Sequence, residues 1–150
     1  MRIGEFCNRD VVVMNGDESV KQAAELMRTH HVGDIVLIEE LEGNRVPVGI
    51  VTDRDLVVEV MAPGIDPDEL AVQDIVTRSV LVAREDDSLI DSLELMKEKG
   101  VRRLPVVDSD HMLIGIITID DITELLAEMM HKVVGVVDRQ QIVEKQQRTG

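Results

Sequence analysis

Apolar residues recur along this chain in two rhythms, and each rhythm occurs twice in the same order. Val11-Val12-Val13, Ile35-Val36-Leu37-Ile38 and residues 46–51 are short apolar, β-branched runs that read as strands. Between the first two, Val20, Ala23, Ala24 and Met27 fall at i, i+3, i+4 and i+7, one apolar helix face suited to packing on a sheet. The order then returns with Val80-Leu81-Val82, the helical set Leu89, Ser92, Leu93 and Met96, the run Leu104-Pro105-Val106-Val107, and residues 113–117. Ser19 and Ser88 follow acidic turns where an N-cap belongs, and Ser19 with Gln22 fits a capping box. Glu42-Gly43-Asn44 and Asp108-Ser109-Asp110 are turn sequences that predict hairpins between the runs they separate. A second helix in each half is predicted to start near Asp53 and Asp120, with Leu56, Val57, Val60 and Met61, and then Ile122, Leu125, Leu126 and Met129, as its apolar positions. Each half therefore reads β-α-β-β-α, an α/β unit.

The correspondence extends to residue identity. Residues 74–130 repeat residues 5–61: Ser19, Glu25, Leu26 and Met27 match Ser88, Glu94, Leu95 and Met96 at an offset of 69. Gly49-Ile50-Val51-Thr52 matches Gly115-Ile116-Ile117-Thr118 at an offset of 66, the difference coming out of the loop 39–46. Two copies of one unit predict a pseudo-twofold module with paired sites. The linker 62–67 is short, so the halves are expected to pack as one body. In the tail 131–150, Val133, Val134, Val136 and Val137 read as a strand or partner contact and residues 144–150 as a polar frayed end.

Composition narrows the partners. A chain of 150 residues suits one compact domain. Phe6 is the only aromatic, so the core must be aliphatic and stacking of nucleic-acid bases is not a plausible activity. The net charge of −14 argues against DNA, RNA and anionic membranes, while leaving room for a small anion held by a few local Arg residues. No apolar run is long enough to span a bilayer, the N-terminus lacks a secretory apolar run, and Cys7 is a lone cysteine. A cytoplasmic location is expected.

The sharpest chemical signal is Gly-hydrophobic-hydrophobic-Thr-x-x-Asp at a strand end, present as Gly49…Thr52…Asp55 and Gly115…Thr118…Asp121. A carboxylate there can accept two hydrogen bonds from a cis-diol such as ribose, and the first N–H groups of the helix suit a phosphate or sugar oxygen. Thr-x-x-Asp is equally a helix-capping pattern, and duplication would copy a cap as well as a site. His30-His31 fits a helix C-terminus better than a metal site, and His111 and His131 are isolated. Met129-Met130 suits a core or dimer contact. No Ser-His-Asp set, Cys-His pair or acidic pair suggests catalysis, so the chain is not read as an enzyme.

The ordered set Asp74-Ile75-Val76-Thr77-Arg78, Ser88 to Met96, Val101-Arg102-Arg103-Leu104-Pro105-Val106-Val107-Asp108 and Gly115-Ile116-Ile117-Thr118-x-x-Asp121 closely resembles a cystathionine β-synthase (CBS) domain. The first repeat resembles a more diverged copy, and the tandem resembles a CBS pair, or Bateman module, covering about residues 5–130. The resemblance implies two β-α-β-β-α motifs packed about a pseudo-twofold axis, usually dimerising into a flat disc. It also implies binding of adenosine-containing ligands (AMP, ADP or ATP, or else NAD or S-adenosylmethionine) in two composite clefts.

Carried over to this chain, one cleft would use Thr52, Arg54 and Asp55 with Thr77, Val80, Arg102, Arg103, Leu104 and Pro105, the arginines supplying local positive charge. The other would use Thr118 and Asp121 with Asn8, Val11, Val32, Gly33 and Asp34. This second set departs from the pattern: Val36 replaces the proline, Gly33-Asp34 replaces the arginine pair, and Asp120 stands where Arg54 stands in the first motif. Asp34 and Asp120 would repel a phosphate, so the first cleft is expected to be the nucleotide site. The resulting expectation is a homodimeric regulatory module, an energy or metabolite sensor without a catalytic cofactor, acting on a separate partner protein. The alternative is a structural dimerisation module whose clefts hold no ligand.

Overall fold

The structure is a computed structural model that describes residues 1–76 and 79–149. Each repeat builds one three-stranded sheet, β1-β2-β3 and β4-β5-β6. In the first, β1 (Val13–Asn15) leads through α1 (Val20–His30) to β2 (Asp34–Leu41), which lies parallel to β1 and turns back antiparallel into β3 (Asn44–Thr52). The second repeat supplies β4 (Ala83–Arg84), α3 (Leu89–Lys99), β5 (Arg103–Val107) and β6 (Leu113–Thr118), with β4 and β5 parallel. The first strand of each repeat begins two or three residues after the start of the valine-rich run that predicts it.

The helix ends follow local chemistry. Ser19 accepts from the Gln22 N–H while the Gln22 side chain accepts from the Ser19 N–H, completing the expected capping box. Ser88 accepts from the Asp91 N–H at the start of α3. His31 closes α1 in the left-handed conformation at φ 54°, and Gly100 closes α3 at φ 66°. After β3, α2 (Asp53–Asp55) runs on as a π-helical segment (Leu56–Met61), with the Ala62 N–H reaching back five residues to the Val57 carbonyl. Pro47, buried in β3, lies beside a register shift between Leu37 and Ile38 of β2, a bulge that accommodates a residue with no N–H to donate.

The repeats exchange their leading segments. The Ile3 and Gly4 N–H groups donate to the Asp87 and Glu85 carbonyls, and the Val72 and Gln73 N–H groups donate to the Glu18 and Gly16 carbonyls. The Leu89 N–H reaches the Met1 carbonyl as the Val20 N–H reaches the Leu70 carbonyl. Every one of these pairs maps onto its counterpart at the 69-residue offset. Two glycines make room for the exchanged segments. A Cβ on Gly115 would lie 2.7 Å from Cys7 Sγ and 2.8 Å from the Asn8 carbonyl oxygen, and one on Gly49 would lie 3.1 Å from Val76 Cγ1.

Alternation along β2 separates two apolar faces. Ile35 and Leu37 pack with Met14, Ala23, Met27 and Val51, and this core takes in Val72 and Ile75 of the exchanged segment. Val36 and Ile38 pack instead with Ile116 of the second sheet, flanked by Val11, Val13, Ile50 and Leu113. That cluster joins the two sheets.

The chain divides into two compact units, Met1–Ile117 and Thr118–Gly150. The second consists of α4 (Ile119–Thr149), and it corrects the expectation for the tail. Residues 131–149 add neither a strand nor a frayed end; they continue the helix. The valine run had suggested strand propensity, yet Val133, Val136 and Val137 sit at helical spacing from Leu126, Met129 and Met130.

Candidate functional site

Thr52 ends β3 in extended conformation and caps α2. Its hydroxyl accepts from the Asp55 N–H at 3.2 Å, and Asp55 Oδ2 accepts from the Thr52 N–H at 2.9 Å. Both side chains are half-buried. The second unit repeats half of this geometry, with the Thr118 hydroxyl accepting from the Asp121 N–H at 3.1 Å. The capping reading of Thr-x-x-Asp is therefore realised. It engages Oδ2 of Asp55, and a carboxylate has further lone pairs, so capping and diol binding are compatible.

Asp34 is the register partner of Thr52 across the β2–β3 ladder, so the two side chains share a sheet face. This is the face that carries Val36 and Ile50 toward the second sheet. From β5, Arg103 Nη1 donates to Asp34 Oδ2 at 2.9 Å, with about a quarter of each side chain exposed (25% and 24%). Arg103 and Asp34 are equivalent positions of the two repeats, 69 residues apart, meeting each other. The charge picture read from sequence changes accordingly. Arg103 does not stand as an uncompensated cation, and Asp34, assigned from sequence to the other cleft, adjoins Thr52.

The neighbouring residues fall as follows. The Gly33 carbonyl accepts from the Asp53 N–H at 3.0 Å, and a Cβ at Gly33 would lie 3.0 Å from Asp53 Oδ2. Val32 is half-buried and donates its N–H to the Met27 carbonyl. Val32, Gly33 and Asp34 thus lead into β2 alongside the Thr52–Asp53 turn. Arg54 is exposed, its N–H held by Asp53 Oδ1 at 2.8 Å. Arg102 and Asp120 are exposed and engaged in interactions. Leu104 and Pro105 are buried within β5, and Val80 is half-buried. Thr77 lies outside the described residues. Asp53, which the sequence marks only as a helix start, shapes this turn by its contacts to Gly33 and to the Arg54 N–H.

An open cavity of about 500 Å³ lies elsewhere, toward the far end of β2 from Asp34. Its lining includes the acidic Asp17, Glu39 and Glu40, unsuited to phosphate, and none of the residues placed around Thr52. Among the described residues no group of three or more His, Cys, Asp or Glu side chains is placed to hold a metal ion. No helix there is long and apolar enough to cross a membrane. Burial pushes the Cys7 thiol above its ordinary pKa, with Arg9 opposing the shift.

The CBS domain family pattern matches residues 3–62 and 72–128. An uncharacterised protein of Methanopyrus kandleri, MK0525, is 39% identical over 82% of this chain, which spans 61% of that protein. A CBS domain protein of Pyrobaculum aerophilum, solved in complex with AMP, superposes with a TM-score of 0.72 at 24% identity, over 81% of this chain and 89% of that one. The CBS domain pair of protein MJ0100, solved with 5′-methylthioadenosine and S-adenosyl-L-methionine, superposes with a TM-score of 0.73 at 22% identity, over 86% and 98%. At these identities the two structures speak to the fold.

Proposed function

Because the chain belongs to the CBS domain family, we propose that it is a regulatory module that binds an adenosine-containing ligand beside Thr52 and Asp55. The carrying observation is a run of linked side chains: Thr52 and Asp55 cap one another, Asp34 is the register partner of Thr52, and Arg103 of the other repeat bonds to Asp34. Asp55 Oδ1 and the α2 N-terminal turn suit a ribose diol. Arg103 has five N–H donors in a planar fork, of which one is committed to Asp34, leaving others to reach a phosphate. In this reading Asp34 orients the arginine. The AMP and S-adenosylmethionine complexes of similarly folded pairs support this ligand class. AMP, ADP or ATP are the first candidates, with NAD and S-adenosylmethionine next, and the module requires no catalytic cofactor. Occupancy would act on a separate protein by shifting the relation of the two repeats.

A second reading has its own observation. The cap already uses the Thr52 hydroxyl and one Asp55 oxygen, and Arg103 is already paired, as in a purely structural module. Thermal-shift assays with AMP, ATP, NAD and S-adenosylmethionine separate the two. A ligand present at a hundred times its Kd adds about 2.7 kcal/mol of stability. A structural module gains nothing from any of the four.

A further inference from the structure

The last helix carries an apolar seam that this chain leaves uncovered. Leu126, Met129, Val133 and Val136 are 49%, 41%, 60% and 70% exposed, and Gln140 and Val143 continue their spacing of three and four. An alternating three–four spacing is that of the a and d positions of a heptad repeat. A shallow groove lined by Gly135, Val136, Arg139, Gln140, Val143 and Glu144 follows the same side of α4.

The segment is not self-supporting. Val133-Val134-Gly135-Val136-Val137 lies at its middle, and in a helix interior glycine is about 1 kcal/mol, and each valine several tenths, less favourable than alanine. Such a helix draws its stability from packing.

Charge selects the occupant. With Leu126 and Val133 at a, Arg139 takes a g position and Glu144 the e position of the next heptad. In a parallel, in-register pair, g of one helix faces that e of the other, so Arg139 meets Glu144 of the second copy, twice by symmetry. Glu144 already accepts from Arg148 along its own helix, and a carboxylate can serve both. The polar Gln140 then meets its own counterpart, whereas an antiparallel pair overlapping the same seam would set Arg139 near Lys132 and Gln140 against Met129.

We propose that two copies of this chain pair through α4 as a parallel, in-register coiled coil, with Leu126, Met129, Val133, Val136, Gln140 and Val143 as the seam. The test uses the full chain with Cys7→Ser. Val136→Cys, in the seam, should form a disulfide-linked dimer under a glutathione redox buffer at least ten times faster than Asp138→Cys on the opposite face. In sedimentation equilibrium, Arg139→Glu should weaken the dimer about tenfold, and adding Glu144→Arg should restore it. Circular dichroism at 222 nm verifies that each variant folds. A monomeric wild type, equal cross-linking at 136 and 138, or a dimer indifferent to Val136→Asp would each overturn the proposal.

Discussion

Asp34 and Arg103 stand at equivalent places in the two repeats and bond to each other at 2.9 Å. Duplication would ordinarily give two like residues at such a meeting point. Here divergence has made them opposite charges, so the contact between the sheets is attractive and the arginine is held by the register partner of Thr52. A one-sided change in this pair should therefore alter both stability and ligand affinity.

Arg103→Ala is expected to lower affinity for AMP about tenfold, in line with a lost hydrogen bond to a charged group, and to leave adenosine binding nearly unchanged. Asp34→Asn should raise AMP affinity by a few fold, because it removes a competing carboxylate. Calorimetric titration with both ligands checks the contrast.

The pair's contribution to folding should be modest, since about a quarter of each side chain is exposed. A double-mutant cycle of Asp34→Ala and Arg103→Ala in urea should return a coupling of about 1 kcal/mol.

Gly115→Ala should destabilise by about 1–3 kcal/mol, because its Cβ would meet the Asn8 carbonyl oxygen at 2.8 Å as well as Cys7 Sγ. Adding Cys7→Ala should recover only part of this loss, since the backbone oxygen remains. Gly49→Ala, whose nearest neighbours would be the Val76 and Leu37 side chains, at 3.1 Å or more, should cost less. Chemical denaturation ranks the three.

Burial raises the Cys7 pKa above its ordinary value of 9.0. A thiol whose folded pKa is raised contributes stability that is fully present below the unfolded pKa and is lost as pH rises through the folded one. Wild type should therefore lose more stability than Cys7→Ser between pH 8 and pH 10.5. Alkylation by iodoacetamide at pH 8 should also be slower in folded than in unfolded protein.

The sequence was most legible where the repeats agree. Periodicity, the Ser19 and Ser88 caps and the hairpin turns predicted the order of strands and helices within each repeat, because each depends on chemistry within a few residues. The exchange of leading segments was hidden, being backbone hydrogen bonding between distant residues whose side chains carry no mark of it. Asp34 with Arg103 was also hidden: each residue was read against its own motif's pattern, and nothing local says that equivalent positions touch. The tail misled because Val133-Val134-Gly135-Val136-Val137 has strand propensity, and only the longer spacing from Leu126 onward reveals a helix.

In the proposed site Asp55 binds ribose as well as capping α2. Asp55→Asn keeps an oxygen for the Thr52 N–H and removes the charge, so the fold should persist. Calorimetric titration of AMP, ATP, NAD and S-adenosylmethionine into wild type and this variant tests the claim directly. Saturable binding of at least one ligand to wild type is expected, with a loss of tenfold or more in the variant. No binding by any of the four, or equal binding by both proteins, would contradict it.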